Sequence, residues 1–142
     1  MSNNFLINQL IDENGNIIFS LINNMGENNV EDLANFLSKD IGNKNDKPIS
    51  KNQLRKFYDS FLKIYFNKSK SEEKKIQLLL LKAQAEYSSK GTPKIKRFKD
   101  IFENRVNIII SKNDDEFKNN LNAFKLHFEA LVGYFPEKKI KK

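Results

Sequence analysis

Cationic side chains on a well-anchored helix are the residues of this chain best fitted to do chemistry, and that chemistry is contact with phosphate. They sit in the segment Ser50-Lys51-Asn52-Gln53-Leu54-Arg55-Lys56-Phe57-Tyr58. Ser50 can accept a hydrogen bond from the backbone N–H of Gln53, and the Gln53 side chain can reach back to the Ser50 N–H, which makes a capping box. Leu54, Phe57, Tyr58, Phe61 and Tyr65 then fall on one stripe at helical spacing. At about 100° per residue, Arg55 lies at the edge of that stripe, while Lys56 and Lys63 point to the opposite face. A guanidinium can grip a phosphate with two hydrogen bonds, and ammonium groups add point charges. Cations fixed on a helix suit a surface that follows a phosphate backbone.

Other chemistry is poorly served. His127 is the one histidine, and there is no cysteine. A histidine acid–base pair, a multi-histidine metal site, a thiolate nucleophile and a disulfide are therefore excluded. His127 lies beside an apolar stripe, where a packing or surface role is the simpler reading. Asp114-Asp115-Glu116 could suggest Mg²⁺, but acids at a helix start complement its dipole. Glu72-Glu73 and Glu31-Asp32 read the same way. With five glycines in all, no phosphate-cradling loop is present. The expectation is a protein that is not an enzyme and needs no cofactor. Arg105 is the odd residue of its segment, because its angle places it among Phe98, Ile101 and Ile109. Either its stem snorkels past them, which is the simpler reading, or its guanidinium makes a buried or functional contact.

The elements that must position these residues are helical. Residues 1–28 admit either a short helix around Phe5, Leu6, Ile7, Leu10 and Ile11 or a hairpin turning at Asn14-Gly15. A helix-poor or frayed start is the preferred expectation. Asn29 is expected to cap a helix to about Lys39, and 41–48 reads as a polar linker. The phosphate-facing helix runs over about 51–67. Ser71 is expected to cap the next, over about 72–89, whose apolar residues project on nearly all sides as in a helix sandwiched between neighbours. Lys90 to Pro93 breaks the chain, and a fourth helix covers about 94–110. Asp114 is expected to cap the last helix, to about Phe135, with Phe117, Leu121, Phe124, Phe128 and Leu131 at coiled-coil-like spacing. Pro136 stops it.

The expected fold is thus all-α: a compact bundle of about five helices in a single domain, with a poorly defined N-terminal segment. A chain of 142 residues with twelve Phe and four Tyr can build one such core. The expected organisation is a variable segment 1–48 with one helix, a helical core 49–135 and a basic, disordered tail 136–142. No apolar run is long enough to span a membrane, and a cytoplasmic location is expected.

The formal net charge of +7 is unevenly spread. Residues 1–40 carry one cation and six acids, whereas 44–70 carry eight cations and two acids. A polyanion such as nucleic acid would explain the segregation. A merely solvated Lys-rich surface would explain it too.

Three segments decide between these, because together they resemble one family. Leu54-Arg55-Lys56-Phe57-Tyr58-Asp59 resembles an LRKFYD-type motif. Leu81-Lys82-Ala83-Gln84-Ala85-Glu86-Tyr87 is similar to an L-K-x-K-x-A-Y segment. Phe124 to Phe135 resembles an F-x-x-x-x-E-A-[LIV]-V-x-Y-F ending. Their order and spacing, over roughly 49–135, resemble the small subunit of the type III-A CRISPR–Cas effector, the Csm complex. There are departures: Tyr87-Ser88-Ser89-Lys90-Gly91 stands where the family has Tyr-x-x-Gly-Arg, and Gln84 replaces a lysine. The resemblance implies a non-catalytic subunit that serves antiviral defence. Copies of it would stack along the filament holding the guide crRNA and line the groove where target RNA pairs. Its partners would be guide crRNA, target RNA, other Csm subunits and copies of itself. The candidate RNA-contacting residues are Arg55, Lys56, Lys82, Lys90, Lys51 and Arg97. Tyr58 and Tyr87 are family-motif aromatics expected to pack in the core. The competing reading is a helical protein–protein adaptor whose basic face meets an acidic partner without RNA. A DNA-binding domain fits less well, since no recognition helix with base-reading residues at its start is visible.

Overall fold

The computed structural model describes residues 9–22, 29–91 and 94–136, and these described residues hold five helices. They are α1 (Asn29–Ser38), α2 (Lys51–Phe66), α3 (Ser71–Lys90), α4 (Lys96–Ile110) and α5 (Asp114–Tyr134). The all-α expectation holds, and the described residues contain no strand, only isolated bridge positions such as Ile11 with Ile17.

Local sequence sets the helix starts. The capping box of α2 is formed: the Gln53 N–H donates to Ser50 Oγ at 3.1 Å, and the Ser50 N–H donates to Gln53 Oε1 at 3.2 Å. On α3 the cap position falls to Lys70 rather than Ser71, and Glu73 Oε1 accepts from the Lys70 N–H at 3.3 Å. Asn113 rather than Asp114 precedes α5, and Asp114, Asp115 and Glu116 occupy its first turn, where the helix dipole favours them. Asn29 is likewise the first residue of α1 rather than its cap.

α5 forms the spine. It packs against α1, α2 and α4, while α3 lies across α2 and α4. The centre is aromatic, with Phe61 of α2 at 5.1 Å from Phe124 and 5.8 Å from Phe128 of α5. Phe102 of α4 joins at 6.0 Å from Phe124. Each such ring contributes roughly 1.5–3 kcal/mol by leaving water. The expectation of a sandwiched third helix is corrected: α3 buries Leu78, Leu81 and Ala85 on one side, and leaves Ile76, Leu79 and Leu80 exposed on the other.

Residues 9–22 follow the hairpin alternative in a short form rather than a helix: Ile11 and Ile17 make an antiparallel bridge, and the Ile18 N–H donates to the Leu10 carbonyl at 2.9 Å. Asn14-Gly15 stands at the hairpin tip, with Gly15 at φ +79°. Asp12 Oδ1 accepts from the Asn14 and Asn16 N–H groups at 2.9 Å each. Leu10 and Ile17 are buried, and three polar side chains of the bundle hold the segment by its backbone. Asn120 Oδ1 accepts from the Ile17 N–H at 2.7 Å, His127 Nε2 lies 2.7 Å from the Ile18 carbonyl, and Arg105 Nη2 donates to the Gln9 carbonyl at 2.8 Å. Arg105 therefore does not snorkel outward; its guanidinium stays inside because a backbone carbonyl meets it there. The expectations for Phe5, Leu6 and Ile7, and for a disordered tail at 137–142, lie outside the described residues.

Candidate nucleic-acid interface

α2 and α3 run side by side and leave an open groove of about 400 Å³ between their outward flanks. Gln53, Lys56, Phe57 and Ser60 line it from α2, and Gln84, Tyr87 and Ser88 from α3. It continues past Tyr87 to Lys90 and Gly91 at the end of α3. Tyr87, expected in the core, is 81% exposed. The reason is geometric: it lies on the side of α3 opposite Leu78, Leu81 and Ala85, and only that latter side meets α2 and α4. Lys56 and Lys90 are exposed, and Lys90 Nζ lies 3.6 Å from Glu86 Oε2. A flat ring flanked by ammonium groups can stack a base while its neighbours meet phosphates.

The other candidate cations are dispersed. Arg55 is exposed on the α2 flank shared with Tyr58 and Leu62, away from the groove. Among the described residues its side chain makes no hydrogen bond or ion pair. Lys51 is half-buried and borders a separate hollow with Ser38, Asp40 and Phe135. Asp40 makes that hollow mixed in sign, since the Gly42 N–H first and Lys47 second hold its carboxyl below the usual range. Lys82 lies in the α3–α4 seam and donates to Asn107 Oδ1 at 2.7 Å. In the same seam Lys99 Nζ is 3.3 Å from Asp100 and 3.5 Å from Glu86. Burial first, and the Glu86 carboxylate second, raise the pKa of Glu103, while the hydrogen bond with Glu103 lowers that of Glu86.

Arg97 is corrected. Its side chain is 1% exposed, and Nε donates to Asp46 Oδ1 at 2.9 Å. Nη1 donates to the Phe36 carbonyl and Nη2 to the Lys39 carbonyl. These contacts fasten the end of α1 and the following linker to the start of α4. The guanidinium has no face left for a phosphate, and Arg97 leaves the candidate set.

Two further groups are packed away. The Tyr58 ring packs tilted against Phe128, centroids 5.2 Å apart, and burial raises its hydroxyl above the usual pKa. Burial also pushes the His127 ring down to about 4, so the imidazole is neutral at pH 7. Among the described residues no cluster of His, Asp and Glu is placed to hold a metal ion, and no helix is long and apolar enough to cross a membrane.

Tyr87 is the functional candidate that residue-type reasoning missed. Its signal was present: Ile76, Leu80, Ala83 and Tyr87 form one stripe of α3, and Leu78, Leu81 and Ala85 another. Only one of the two can face a core in a single layer.

A family model described as Csm2 Type III-A matches residues 24–139, a span that includes all five helices. No curated protein and no solved structure matches the chain.

Proposed function

From the premise that this chain belongs to the Csm2 type III-A family, the small subunit of the type III-A Csm complex, we propose that it serves as a non-catalytic, cytoplasmic RNA-contacting subunit. Copies stack along the guide crRNA filament, and each presents the α2–α3 groove to the backbone of the crRNA–target RNA duplex. Lys56 and Lys90 meet phosphates, and Tyr87 offers its ring to an unpaired or splayed base. Arg55, Lys51 and Lys82 add charge at the margins. Base pairing supplies sequence specificity, so the protein needs cations and a flat ring rather than a base-reading code.

The observation that carries this reading is the coincidence of Lys56, Lys90 and an exposed Tyr87 in one groove of a chain that matches this family. The test is to tag the chain in its native cell and purify it at moderate salt. Short RNAs of uniform length, sharing a repeat-derived 5′ end and accompanied by larger subunits, are expected. Lys56→Glu with Lys90→Glu should retain those subunits and bind guide–target duplex at least about tenfold more weakly in low salt. Clean protein without RNA and an unrelated partner would favour the adaptor reading instead.

A further inference from the structure

α3 carries an apolar stripe that no described part of this chain covers. Ile76, Leu79, Leu80 and Tyr87 are exposed, and Leu80 is 64% exposed. Ala83, between them, is exposed as well. Scattered apolar residues on a surface are ordinary, but a contiguous stripe marks an interface. The steps Ile76 to Leu80 to Ala83 to Tyr87 are four, three and four residues, the spacing that keeps a seam along one side of a supercoiled helix pair.

We propose that this stripe pairs with the same stripe of a second copy, antiparallel about a twofold axis. The register follows from the sequence. When the axis falls midway between Leu80 and Ala83, Ile76 meets the partner's Tyr87, and Leu80 meets the partner's Ala83. A large side chain thus faces a small one beside the axis. The same register sets Glu73 opposite the partner's Lys90, so an acid meets a base at both ends of the seam. A parallel pair would instead set Glu72 and Glu73 against their own copies. Self-complementarity in size and charge at one register is what an isologous contact requires, and such a contact closes at two copies. It differs from an open stack along a filament, and because it covers Tyr87 and engages Lys90, the pair and the RNA-filled groove are alternative states of one copy. The seam from Ile76 to Tyr87 is about 17 Å long at 1.5 Å per residue, so the pair belongs with small, weak interfaces.

The test uses the absence of native cysteine. Full-length Glu73→Cys and Lys90→Cys chains are purified separately, mixed at about 100 μM, well into the range where weak pairs form, and oxidised. In the antiparallel pair, residues 73 and 90 of different copies adjoin, whereas like positions lie about 25 Å apart. A species of twice 16.6 kDa should form in the mixture and not in either variant alone. Leu80→Glu in both chains should lower its yield at least about tenfold, the factor that 1.4 kcal/mol gives, with an unchanged circular dichroism spectrum. Equal cross-linking within a single variant would overturn the register. A mixture that cross-links no better than chains carrying Lys118→Cys, on exposed α5 surface, would overturn the pairing itself, as would a yield indifferent to Leu80→Glu.

Discussion

The inner pair of helices, α4 and α5, and the outer pair, α2 and α3, use the same residue types in opposite ways. α4 and α5 bury Arg97, Arg105, Asn120 and His127. Each of these four reaches backbone of another part of the chain, at Phe36 and Lys39, Gln9, Ile17 and Ile18 respectively. α2 and α3 leave Arg55, Lys56 and Lys90 in water, together with Ile76, Leu80 and Tyr87. Whether a cation becomes a brace or a contact surface is decided by what the rest of the chain offers within hydrogen-bond reach. A buried guanidinium needs every donor satisfied, and Arg97 meets the Asp46 carboxylate and the Phe36 and Lys39 carbonyls at once.

The sharpest break in that comparison is Arg97→Ala. It removes one partner of a buried pair and leaves Asp46 and the carbonyls of Phe36 and Lys39 without their donor. A loss of about 3–5 kcal/mol is expected, as for other buried pairs broken from one side, read from urea unfolding. A change within about 0.5 kcal/mol, the range of ordinary surface sites, would mean that Arg97 belongs with the outer helices after all.

The brace at His127 is tested by pH. Its folded pKa of about 4 lies below the ordinary value of 6.5, so the unfolded chain binds the extra proton more readily. The resulting stability is fully present above pH 6.5 and is lost as pH falls toward 4. About 3 kcal/mol is at stake at 1.36 kcal/mol per unit, visible as a falling unfolding midpoint between pH 7 and 4.5. Since the chain has one histidine, its ring resonances titrate alone in an NMR spectrum. A midpoint near 6.5 in the folded protein would show that water reaches the ring, and that the N-terminal turn is not held as described.

Much of the inner pair was legible in the sequence, because a helix with one apolar side announces which way it faces. Phe98, Ile101 and Phe102, and Phe117, Phe124 and Phe128, all point inward as their spacing requires. α3 was not legible, because its apolar residues fall on two stripes and periodicity alone does not say which one the chain covers. Arg97 stood among the RNA-contacting candidates, since its carboxylate partner is 51 residues away and no local pattern announces it. A warning was nonetheless visible: Arg97, Ile101 and Arg105 are spaced four apart on the inward side of α4. The N-terminal turn was legible only at Asn14-Gly15, because its anchors lie on α4 and α5. The capping box that fixes Arg55 and Lys56 was legible in full, since both partners lie within four residues.

Arg55→Glu probes the outer pair at its edge and carries the smallest expected effect. Its side chain is exposed and contacts no partner among the described residues, so unfolding should shift by no more than about 0.5 kcal/mol. Its flank of α2 turns away from the groove that holds Lys56, Tyr87 and Lys90. If the duplex lies only in that groove, Arg55→Glu should leave affinity and salt dependence unchanged. If the duplex wraps over α2, one phosphate contact is lost, and the slope of log affinity against log salt should fall by about 1. The proposed footprint, with Arg55 at its margin, requires the second outcome, but with a smaller loss than Lys56→Glu with Lys90→Glu. A titration of guide–target duplex across salt, run on both variants, ranks the two flanks directly. A larger loss from Arg55→Glu than from the groove pair would move the interface to the opposite side of α2.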